Sequence, residues 1–69
     1  MDEKKVTRQI ADNIFLELTE KKFTIKKGAS EESWCLNDVI FKSIISSMMF
    51  RHSFQKMKKE FYEKFGIKI

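Results

Sequence analysis

The sequence predicts an α+β domain that is mostly helical: one helix, a two-stranded antiparallel hairpin, then two further helices. Three observations carry that expectation. Apolar residues recur at helical spacing over three separate stretches. A short alternating segment before Gly28 reads as a strand. The chain has no proline, and its two glycines, Gly28 and Gly66, sit where a turn and a helix end are expected.

The first helix is expected from about Lys4 to Lys22. Val6, Ile10, Ala11, Ile14, Phe15 and Leu18 fall within one half of a helical wheel, and Arg8, Gln9, Asp12, Asn13 and Glu20 lie on the other half. Leu16 falls among the polar residues, as an exposed leucine off the apolar stripe. From Lys22 to Lys27, Phe23 and Ile25 alternate with Thr24 and Lys26, the pattern of a half-buried strand, and Gly28-Ala29-Ser30 follows as a turn. The return strand ends with Trp34 and Leu36 facing inward. A single helix from Glu31 to Phe50 would instead place Asn37 and Asp38 inside an apolar stripe, which costs about 1–3 kcal/mol for each unpaired polar group.

The second helix is therefore expected from Asp38 to about Phe50, with Asn37 as its N-cap and Asp38 as a first-turn acid. Its apolar stripe is Ile40, Phe41, Ile44, Ile45, Met48 and Met49. Its polar strip is Ser43, Ser46 and Ser47, small residues that allow another helix to come close. Ser53 can cap a third helix, in which Phe54, Met57, Phe61 and Phe65 recur inward before Gly66. Ile67-Lys68-Ile69 either adds a short C-terminal edge strand or frays.

Sixty-nine residues can enclose one hydrophobic core, so residues 1–69 read as a single small domain. Such a core supplies only about 3–5 kcal/mol of net stability, and natural domains of this size lean on a staple, a metal, association or dense packing. Cys35 is the only cysteine, so no disulfide forms within the chain, and one Cys and one His do not make a tetrahedral metal site. Seven Phe, one Trp and four Met provide dense packing material, and self-association provides further burial. The longest apolar-rich run, Val39 to Phe50, is too short and too interrupted to span a membrane, and no signal peptide is read. The lone cysteine fits a reducing compartment, so the expected location is cytoplasmic, without a membrane partner.

No catalytic, cofactor-binding or metal-binding residue is assigned. A nucleophile would need Cys35 or a serine beside a base, and His52 is the only histidine, with no orienting group at a recognisable spacing. Two distant glycines cannot write a phosphate-binding loop. The expected function is a non-enzymatic regulatory or inhibitory module that acts by protein–protein binding, as a homodimer. Its contact residues are Leu16, Val39, Phe50 and Tyr62, which fall off the three core stripes.

The alternative is a small basic nucleic-acid-binding protein of the DNA-binding regulatory kind. The net charge is +4, and Arg51, Lys56, Lys58, Lys59, Lys64 and Lys68 cluster towards the C-terminus against only Glu60 and Glu63. Against it stand the scarcity of arginine and the spacing of Lys56 with Glu60, Lys59 with Glu63, and Glu60 with Lys64. These are i, i+4 pairs that would neutralise part of the face.

Overall fold

The computed structural model describes residues 4–47 and 50–69. In chain order it contains β1 (Lys5–Ala11), β2 (Ile14–Thr19), β3 (Lys22–Lys27), β4 (Ser30–Cys35), α1 (Val39–Ser47) and α2 (Arg51–Phe65). The strands form one antiparallel sheet in the order β1-β2-β3-β4, each paired with its neighbours in sequence. This corrects the mostly helical expectation. The segment expected as the first helix is a β-hairpin, and the expected hairpin is the second half of a four-stranded meander.

The physical reason lies in Ile14-Phe15-Leu16-Glu17-Leu18, on which both a helical stripe and a strict alternation can be drawn. A helix would bury Phe15 and expose Leu16; the sheet does the reverse, with Leu16 at 0% exposure and Phe15 at 38%. Pairing β2 with β3 sets Leu16 opposite Ile25 and Leu18 opposite Phe23, so both hairpins share one apolar face.

Each connection is a two-residue turn with its own chemistry. Asp12-Asn13 joins β1 to β2 next to a register shift between Gln9 and Ala11, and the Gln9 side-chain amide donates to the carbonyls of Ala11 and Asp12. The shift adds local twist, which suits a turn whose residues keep negative φ. At Glu20-Lys21 the buried Thr19 hydroxyl accepts the N–H groups of Lys21 and Lys22, at 3.3 and 3.1 Å. At Gly28-Ala29 the glycine has φ +61° and the alanine a negative φ, the arrangement of a II′ hairpin turn.

The sheet has two unlike faces. The inner face carries Val6, Leu16, Leu18, Phe23 and Ile25, and the helices cover it. The outer face carries Thr7, Glu17, Thr24 and Ser33 in one cross-strand row and Gln9, Phe15, Lys26 and Glu31 in the next. Lys26 sits 3.2 Å from Glu17 and 3.9 Å from Glu31, and the hydroxyls of Thr24 and Ser33 are 3.1 Å apart.

Helix α1 sends Phe41 and Ile45 into the core and α2 sends Phe54, Met57 and Phe61. Phe23, Phe41 and Phe54, one from each of β3, α1 and α2, form a triangle with ring centroids 5.0–5.8 Å apart, two of its three contacts edge-on. Edge-on aromatic pairs are worth about 0.5–1.5 kcal/mol beyond the area they bury. Trp34 faces the core from β4 as expected and stacks on Phe41, but Ile40, expected in the same core, is 65% exposed. Met48 and Met49 of the expected stripe lie outside the described residues.

The cap of α1 is Asp38 and not Asn37: the Asp38 carboxylate accepts the Ile40 N–H at 2.8 Å. Nor does Ser53 cap α2, because Arg51 and His52 already belong to that helix. Gly66 closes α2 with φ +69°, its N–H bonded to the Tyr62 carbonyl. The tail 67–69 adds no strand; Ile67 and Ile69 pack half-buried on the core. No helix among the described residues is long and apolar enough to cross a membrane.

Candidate functional site

The four residues expected at a protein contact separate in the structure. Leu16 is enclosed in the core and touches no surface, because strand alternation turns it under α2. Phe50 is half-buried against the core, Val39 stands 78% exposed at the head of α1, and Tyr62 is 53% exposed near the end of α2. Val39 and Ile40 together form an exposed aliphatic pair on the first turn of α1. The serines of α1 face solvent, with Ser46 and Ser47 hydrogen-bonded back to the Ser43 carbonyl.

Cys35 is exposed on the outer side of β4, and His52 is exposed in the first turn of α2. Among the described residues no three or more His, Cys, Asp or Glu side chains come together in a way that could hold a metal ion.

The expected basic residues divide by flank. On α2, Arg51, Gln55, Lys58 and Tyr62 follow one another at i, i+4, i+7 and i+11, a single row beside the core-facing stripe, with Lys59 next to it. Two adjoining clefts open along this row. One, of about 470 Å³, lies between α1 and α2 and takes Lys42, Arg51 and Lys58 over a floor that includes Phe41, Ile45 and Phe54. The other, of about 460 Å³, takes Lys58, Lys59, Tyr62 and Lys68. Gln55, Lys58 and Ile69 border both, so the two form one seam.

Five cations line this seam, and no Asp or Glu side chain does. Lys56 and Lys64 line neither cleft, and Lys64 lies over the Phe65 ring instead.

The neutralising pairs expected within α2 are not formed among the described residues. Glu60 leaves its helix neighbours and bonds Arg8 of β1 at 2.8 Å, tying the first strand to the last helix. Lys58 extends its ammonium over the Phe54 ring at 5.7 Å, which keeps the charge at the seam's edge. Lys42 and Asn37 were not assigned from the sequence because they reach the seam from α1 and the turn before it. The four-residue row on α2 was the one local signal available.

A third cleft, of about 520 Å³, has Trp34, Ile44 and Phe50 on its walls with Glu31 and Glu32 at its rim.

Compared with known proteins, the chain matches no family model, no curated protein and no solved structure.

Proposed function

We propose that the protein is a non-enzymatic binding module that holds the sugar–phosphate backbone of a nucleic acid along the seam on α2 that α1 flanks in one part and the C-terminal tail in the other. The observation that supports this is the charge of the seam: Lys42, Arg51, Lys58, Lys59 and Lys68 line two adjoining clefts along α2 that no carboxylate side chain borders. Cations gathered in this way track phosphates, and the affinity they give comes from released counterions.

Titration of labelled oligonucleotides by fluorescence anisotropy tests the reading. Neutralising about three to five phosphates makes affinity fall roughly 20- to 500-fold between 50 and 200 mM salt. Arg51→Glu with Lys58→Glu abolishes binding, whereas Lys56→Ala with Lys64→Ala, on the other flank, leaves it near wild type. Absence of binding at low salt, or equal damage from both pairs of substitutions, refutes it.

The second reading, a regulatory module that acts through a homodimer, is supported by the exposure of Val39 and Ile40 at the head of α1. It locates function on the aliphatic pair and not in the seam. Light scattering on the same samples reads the mass directly.

A further inference from the structure

We infer that the nucleic acid held in this seam is single-stranded, with one base stacked on Tyr62. The inference rests on the polyanion reading above and adds the form of the ligand to it. Two observations support it.

The cations sit in a concave place and not on a protruding one. Duplex DNA is read by an element that projects into a groove about 12 Å wide. Here the charges line two adjoining clefts, one between α1 and α2 and one between α2 and the C-terminal tail, and no element projects from them into a groove.

Tyr62 is the one Phe, Tyr or Trp side chain of α2 that does not belong to the core or its half-buried margin. It is 53% exposed and borders the same cleft as Lys58, Lys59 and Lys68. The row from Arg51 to Tyr62 extends about 16 Å along the helix at 1.5 Å per residue, so a strand that enters beside Arg51 and Lys42 passes Gln55 and Lys58 before it reaches the ring. The Gln55 and Asn37 amides at the seam offer both donors and acceptors to base edges.

The test uses the whole chain and four probes at 50 mM salt: a 12-nucleotide oligo-dT, a 12-nucleotide oligo-U, a 12-base-pair duplex and inorganic polyphosphate of matched charge. Single strands are expected to bind at least tenfold more tightly than the duplex or polyphosphate. Tyr62→Ala is expected to weaken single-strand binding about 5- to 100-fold and Tyr62→Phe to retain it, because stacking needs the ring and not the hydroxyl. The salt dependence stays the same in Tyr62→Ala, since the phosphate contacts remain.

Duplex bound as tightly as single strand overturns the single-strand inference and leaves the polyanion reading standing. Polyphosphate bound as tightly as oligo-dT, or Tyr62→Ala indistinguishable from wild type, overturns the stacked base. No binding of any probe overturns both readings. A thermal melt of Tyr62→Ala that matches wild type shows that its loss is not a loss of fold.

Discussion

Truncating Leu16 and Phe15 in turn separates the sheet from the helix that the same residues could form. Leu16 is fully buried on the inner face of β2, flanked by Arg8 on β1 and Ile25 on β3. Leu16→Ala removes its methyl groups from a closed core and leaves a cavity, at a cost of about 2–5 kcal/mol. A domain of this size has about 3–5 kcal/mol to lose, so the variant sits near its unfolding midpoint at room temperature. At about 4–8 °C per kcal/mol, a loss of 3 kcal/mol lowers Tm by about 12–24 °C. Phe15 lies on the outer face, partly open to water, and its truncation leaves no enclosed cavity; the loss is about 1 kcal/mol. Urea denaturation followed by circular dichroism reads both. Phe15→Ala more damaging than Leu16→Ala would refute the sheet, because the helical wheel buries Phe15 and exposes Leu16.

Two further outcomes follow from the turns and caps. Thr19→Val keeps the shape but removes the oxygen that accepts the N–H groups of Lys21 and Lys22, and is expected to lose about 1–2 kcal/mol in urea denaturation while Thr19→Ser retains most of the stability; a valine variant equal to wild type would show that the hydroxyl holds nothing. Gly66→Ala is expected to cost about 1–2 kcal/mol through its left-handed backbone alone, since no atom lies within 4 Å of an added Cβ; an unchanged melting curve would contradict the positive φ.

Where local pattern and tertiary structure agree, the sequence was readable. Phe54, Met57, Phe61 and Phe65 repeat only at helical spacing, and the third helix is where they put it. The hairpin around Gly28 was readable because a glycine marks a turn that needs positive φ. The first hairpin was not, because Asp12-Asn13 and Glu20-Lys21 are ordinary polar pairs in an amphipathic helix. Their meaning lies in their spacing: turns at 12–13, 20–21 and 28–29 recur every eight residues, the rhythm of a meander. The seam was half readable. Its α2 row follows from sequence, but Lys42 joins it only through helix packing, and Glu60 is withdrawn from its lysine neighbours only by Arg8, which a helical first segment places elsewhere.

The bond from Arg8 to Glu60 spans 52 positions, and it bears on how the chain is made. All four strands have been synthesised once Cys35 is added, and each pairs only with its neighbours, so the sheet can form by successive hairpin closures of about 1–10 μs. The helix that covers Val6, Leu16 and Leu18 is complete only at Phe65, about thirty residues later, which at about 5–20 residues per second is roughly two to six seconds. Until that helix closes over it, the sheet has a bare apolar face and two open edges, and the charges of Glu31 and Glu32 on one edge strand and Lys5 on the other disfavour edge-to-edge joining of chains.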